Sequence, residues 1–165
     1  LSFPAVYYYT PAAVAVHTSS DITELSGLNG KKVGTGTGTT FELYLQHDLI
    51  IDAEGAPAFD FQIDNAEIKS YETSVIALDD LRLGDGVRLD GVVSSLPTIL
   101  EAIANGYPLK VVGSPVFYEP LAVTVDLGDS ELNAKVASIV ASMRADGVLS
   151  TISKKWYGVD YATVK

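Results

Sequence analysis

The sequence has no cysteine, which removes a disulfide frame, a thiolate zinc site and a cysteine nucleophile at once and fits any compartment. Its only histidines are His17 and His47, which argues against a histidine-rich metal site. Basic residues are scarce: 11 Lys and Arg stand against 21 Asp and Glu, for a net charge of −10. Nucleic acid and anionic membrane surfaces both need a basic patch, so this balance argues against either as a partner. No apolar run is long enough to cross a bilayer. No charged-then-apolar leader precedes Leu1, so an exported protein would carry its signal outside these residues.

What is present is a globular composition, 47% hydrophobic and 19% charged. The 165 residues suit one ordinary domain or two small lobes. The chain is organised around residues 31–42, where an apolar strand ending near Thr35 enters the loop Gly36-Thr37-Gly38-Thr39-Thr40 and then a helix. Glycine permits a tight turn and close approach to a ligand. Threonine supplies hydroxyl groups and a helix cap. The first N–H groups of a helix lack internal partners and carry the positive end of its dipole, so such a loop suits an anion, either a carboxylate or a phosphate. A phosphate P-loop is a poor fit: Gly34 and Gly38 have the wrong spacing, and no lysine precedes Thr39 or Thr40.

Along the chain, residues 12–16 read as a strand after the aromatic run Tyr7-Tyr8-Tyr9, and 22–29 as a short helix. The loop helix is expected to reach about Leu49, and 50–65 lacks a clean period. Further strands are expected at 68–71, 89–93, 109–112 and 121–125, and further helices at 75–83, 98–104, from Asp129 to Asp146, and about 149–156. Leu132, Val136, Ile139, Val140 and Met143 form one face of the long helix. This alternation predicts an α/β fold with a mostly parallel sheet flanked by helices. Ligands in such sheets sit beyond the carboxyl ends of strands. The Gly/Thr loop and Ser94-Ser95 both follow strands, so both are candidates for one pocket. Asp79-Asp80 and Asp52 with Glu54 read as solvated faces, and no cofactor or metal is expected.

Four segments, in order, resemble one family: the solute-binding proteins of ABC importers for polar amino acids, which have the type II periplasmic binding-protein fold. They are Tyr7-Tyr8-Tyr9-Thr10-Pro11; Leu28-Asn29-Gly30-Lys31-Lys32-Val33-Gly34 through Thr40; Leu89-Asp90-Gly91-Val92-Val93 with Pro97; and Ala145-Asp146-Gly147 through Lys155-Trp156-Tyr157-Gly158. The resemblance implies a hinge-crossing segment and lobe-one remnant at 1–17, a ligand-binding lobe two at 18–118, and a return crossing with lobe-one helices at 119–165. It also implies that the N-terminal part of lobe one, with the arginine that grips a ligand carboxylate, lies outside these residues. Arg82, Arg88 and Arg144 do not fit that role.

By the same resemblance Thr37, Gly38, Thr39 and Thr40 hold a ligand α-carboxylate; an ordinary helix cap is the plain alternative. Ser95, beside Ser94, stands where the family usually has an aspartate that pairs with the ligand ammonium. Serine can accept a hydrogen bond there without neutralising the charge, and Ser94-Ser95 equally reads as a cap for the helix opened by Pro97. The implied function is capture of a small carboxylate-bearing, amino-acid-like solute outside the cytoplasm for an ABC permease, without catalysis. A cyclohexadienyl dehydratase on the same scaffold, with Glu119 as its acid, and a receptor sensor domain are the alternatives. The tyrosines at 7–9 read as hinge and core. An incomplete lobe one would also favour a dimer or segment exchange.

Overall fold

Alternating apolar strands and capped helices give eleven elements in the computed structural model, which describes residues 1–53 and 55–163. Glu54 lies outside the described residues. The order is β1 (Val6–His17), a 3-10 turn (Leu25–Leu28), β2 (Lys32–Gly36), α1 (Thr40–Gln46), β3 (Glu67–Tyr71), α2 (Ser74–Leu81), β4 (Gly91–Ser95), α3 (Leu96–Ala104), β5 (Leu109–Ala122), α4 (Ser130–Ala145) and α5 (Val148–Tyr157). The five strands form one sheet in the order β3-β2-β4-β1-β5. β2 runs parallel to both β3 and β4, whereas β1 is antiparallel to β4. The sheet is therefore mixed, and its parallel part carries the candidate loops.

The chain divides into two compact units. Unit 1 comprises Leu1–Thr10, Ala53–Pro57 and Tyr118–Lys165, and unit 2 comprises Pro11–Asp52 and Ala58–Phe117. Both β1 and β5 begin in one unit and continue in the other.

In unit 2 the side chains of each strand alternate between two faces, and each face has its own core. Val14, Val33 and Val93 pack with Tyr44, Leu45, Ile63 and Phe117 on one side. Ala13, Ala15 and Val92 pack with Ala77, Leu78, Leu81 and Ile99 on the other. The first core is aromatic: the Tyr44 ring lies 5.5 Å from both Phe61 and Phe117. Ile51, Phe59, Phe61 and Ile63 thus join the core from a segment in which the described residues form no helix or strand; the alternation of Phe59 and Phe61 was its signal. In unit 1, Arg144 binds the backbone oxygens of Val6 and Ala162, and buried Ser153 accepts from Tyr161 N while donating to Val159 O, both at 2.8 Å. Tyr8 stacks on Tyr157 at 5.5 Å.

Four local expectations change. The strand expected at 109–112 continues as β5 to Ala122 and takes in only the first two residues of the strand expected at 121–125; Val125 forms an isolated bridge with Ser2. Gly113 absorbs the irregularity at φ 69°, and β5 is the last strand of the sheet, where Pro115 and Pro120 cost fewer ladder bonds. The expected helix at 22–29 is only the four-residue 3-10 turn. α1 stops at Gln46 because His47 turns left-handed, φ 63°, while its ring stacks on Phe61 at 4.5 Å and its Nε2 donates to Ile63 O. Of the expected apolar face of α4, only Val140 is buried.

Thr35 is fully buried in β2, and its hydroxyl has no hydrogen-bond partner among the described residues. A buried unpaired hydroxyl costs about 1–3 kcal/mol. Thr35→Val, which keeps the β-branched shape, is expected to raise stability by about 1 kcal/mol in urea denaturation; a loss of that size would show that the hydroxyl has a partner.

Candidate functional site

β2 ends at Gly36, where a side chain would be crowded: an added Cβ would lie 3.2 Å from Ser74 Oγ and from Thr39 Cγ2. Thr37 N donates to Tyr71 O at 2.8 Å, tying the loop to the end of β3. Gly38 makes the turn at φ 70°. Thr39 is the cap of α1: its Oγ1 donates to Gly36 O at 2.7 Å and accepts from Glu42 N at 3.3 Å. Thr40, half-buried, is the first residue of the helix.

The parallel register brings the second candidate loop alongside. Val33 lies opposite Gly91 and Gly34 opposite Val92, so the carboxyl ends of β2 and β4, at Gly36 and Ser95, lie at the same end of the sheet. Ser94 is buried opposite Ala13 of β1. Ser95 caps α3: its Oγ accepts from Thr98 N at 3.3 Å and shares a 2.7 Å hydrogen bond with Thr98 Oγ1. The capping role weighed for Ser94-Ser95 therefore falls to Ser95.

β3 leads into a third helix start, that of the helix expected at 75–83. Thr73 caps α2 through Ile76 N at 3.4 Å. Three capped helix starts thus follow the carboxyl ends of β2, β3 and β4. Their N–H groups and positive dipole ends make this end of unit 2 favourable for an anion.

Glu42 was also missed, although Thr39-Thr40-Phe41-Glu42 has the spacing of a capping box. Its Oε2 accepts from Gly38 N at 2.7 Å and its Oε1 accepts from Ser70 Oγ. The Ser70 hydroxyl, and then the Gly38 amide, hold its pKa below the ordinary glutamate value. The charged form is favoured in the fold, so this contribution is present at neutral pH and is lost as pH falls through the lowered pKa. Ser70 could not be read from sequence, because only the pairing of β2 with β3 sets it beside the loop.

The arginines have structural duties: Arg82 pairs with Asp79 at 3.3 Å, Arg88 with Asp80 at 2.8 Å, and Arg144 holds the backbone of unit 1. Glu119 lies on β5, in unit 1, half-buried. No cluster of three or more metal-ligating side chains occurs among the described residues.

No protein-family profile matches the chain. It is 31% identical over 164 residues to a putative amino-acid ABC transporter-binding protein, PatH, of Vibrio harveyi, covering 96% of this chain and 58% of that protein. It is 27% identical over 134 residues to the L-cystine-binding protein TcyJ of Escherichia coli K12, covering 81% of this chain and 44% of the relative. Among solved structures, an ancestral arginine-binding protein bound to glutamine superposes with a TM-score of 0.72 at 28% identity, over 95% of this chain and 64% of that one. The chain spans about half the length of the curated relatives it matches. By sequence and by architecture it is a relative of the amino-acid-binding proteins of ABC transporters, with the type II periplasmic binding-protein fold.

Proposed function

We propose that the protein captures an amino acid outside the cytoplasm and delivers it to an ABC permease, and that residues 37–40 hold the ligand carboxylate. The observation that carries this reading is the cluster of capped helix starts beyond β2, β3 and β4, with a Gly/Thr loop on the central one. Backbone amides and dipole ends bind a carboxylate without a basic side chain, as an acidic chain requires. In this reading unit 2 is lobe two, and β1 and β5 are the strands that join it to lobe one. The role is binding without chemistry. The relatives named above are binding proteins, and the dehydratase alternative gains no support from them.

Ser94 and Ser95 sit beside the loop as hydroxyl donors. Ser95 already serves α3, so the ligand ammonium finds its countercharge elsewhere in this reading. Calorimetric titration of the full-length protein with arginine, glutamine and cystine tests the function. Saturable binding of at least one is expected, weakened about tenfold by Thr40→Val, since hydrogen bonds to charged groups contribute about 1.5–3 kcal/mol. Failure of all three to bind would contradict the proposal.

Unit 1 carries many exposed apolar side chains, including Leu132, Ile139, Ile152 and Trp156, the last 72% exposed. They support self-association of this chain when it is studied alone. Size-exclusion chromatography with light scattering is expected to show a dimer; a clean monomer at high concentration would contradict it.

A further inference from the structure

We propose that Asn105 is a site of spontaneous covalent modification, deamidating to aspartate and isoaspartate and thereby loosening the end of α3, while the fold protects the other Asn-Gly pair, Asn29-Gly30. Asparagine is a chemically labile residue. Asn29 and Asn105 each precede glycine, whereas Asn65 and Asn133 precede alanine. The following residue matters because its backbone nitrogen is the nucleophile, and glycine has no Cβ to shield it. The Gly106 nitrogen gives its proton to solvent base and attacks Asn105 Cγ. A C–N bond forms, the side-chain amide leaves as ammonia, and a succinimide ring results. Water then opens the ring at either carbonyl, giving aspartate or isoaspartate.

Exposure does not separate the two pairs, since both residues of each are exposed. Hydrogen bonding does. At the first pair Asp64 holds both reacting groups: Gly30 N donates to Asp64 O at 3.0 Å, and Asn29 Oδ1 accepts from Asp64 N at 2.8 Å. Leu28, immediately before, is fully buried. Ring closure at Asn29 therefore requires a distant segment to leave its place. Asn105 is the C-cap of α3, and its side chain makes no hydrogen bond among the described residues. Gly106 N donates to Ile103 O at 2.9 Å, one local bond at a helix end. Helix ends open at a small fraction of the cost of global unfolding. The space beside Gly106 is open, for an added Cβ would meet nothing within 4 Å.

The product puts a negative charge at the carboxyl end of α3, where the helix dipole is already negative, and one turn from Glu101 on the same helix. Isoaspartate also adds a methylene to the main chain just before Tyr107. That residue ties the connection to α2: its hydroxyl donates to Asp79 at 2.8 Å and its ring lies under Arg82. The change falls at the opposite end of α3 from the Ser95 cap.

The test uses the full-length protein, kept folded in mildly alkaline buffer and sampled over days by peptide-mapping mass spectrometry, which reads the mass gained when an amide becomes a carboxylate. Deamidation at Asn105 is expected to run at least about tenfold faster than at Asn29, the gap arising from the difference in local opening. In denaturant the two rates are expected to converge to within about threefold, because only the folded state distinguishes the pairs. The rate at Asn105 is expected to rise with pH, because the attacking nitrogen must first lose its proton. Asn105→Asp, which carries the product's charge on an unaltered main chain, is expected to melt below the wild type. Equal rates in the folded protein, faster reaction at Asn29, a gap that persists in denaturant, or an Asn105 that stays intact while the denatured chain reacts would overturn the proposal. An Asn105→Asp variant as stable as the wild type would overturn the effect on α3.

Discussion

Replacing Phe117 with alanine is expected to destabilise unit 2 by about 3–5 kcal/mol, a large share of the roughly 5–15 kcal/mol that holds a domain folded. Phe117 is 1% exposed and lies at the centre of the aromatic core, with ring centroids at 5.5 Å from Tyr44, 5.8 Å from Phe59 and 6.0 Å from Phe41. Truncation removes all three contacts and leaves a cavity that rigid neighbours cannot close. The effect reaches the candidate site, because Phe41 is the second residue of α1. A helix of seven residues is not stable by propensity and depends on such packing. Chemical denaturation followed by circular dichroism reads the loss; a change under about 1 kcal/mol would mean the core is not packed as described.

Gly34→Val is expected to cost about 1–3 kcal/mol or more and to weaken ligand binding at the same time. The first added carbon alone would lie 2.6 Å from Leu89 Cδ1, 3.2 Å from Ala77 Cβ and 3.3 Å from Val92 Cγ2. Ala77 belongs to α2, so the added side chain displaces Leu89 and presses on the helix. Thr73, the cap of α2, is one of the three caps at the proposed ligand end, and β3 accepts the Thr37 amide just before it. Thermal melts paired with an amino-acid titration check both effects. A variant as stable as the wild type would contradict the close approach of α2 to β2.

The parts of the fold that were legible in sequence are those set by local chemistry. β2, its Gly/Thr loop and α1 follow from an apolar run, glycines and a threonine cap at adjacent positions. Pro97 and Ser95 marked the start of α3 in the same way. What was not legible depends on pairing at a distance. Gly113 and Pro115 look like a break, yet an edge position lets β5 continue through them. Ser70 reaches Glu42 only through the register of β3 against β2. The Thr39-Glu42 spacing is a local signal for the internal carboxylate, carried by the same residues that suit an external one. For α4, periodicity identified an apolar face and could not say what lies against it.

Whether residues 37–40 hold a ligand carboxylate is read from backbone amide shifts in a two-dimensional ¹H–¹⁵N NMR titration of the full-length protein. Arginine and its decarboxylated analogue agmatine differ at the group in question. Arginine is expected to move the amide resonances of Thr37, Gly38, Thr39 and Thr40 more than any others in unit 2, and agmatine to leave them in place. Loop amides that stay still under saturating arginine, or that move equally with agmatine, would contradict that placement of the carboxylate.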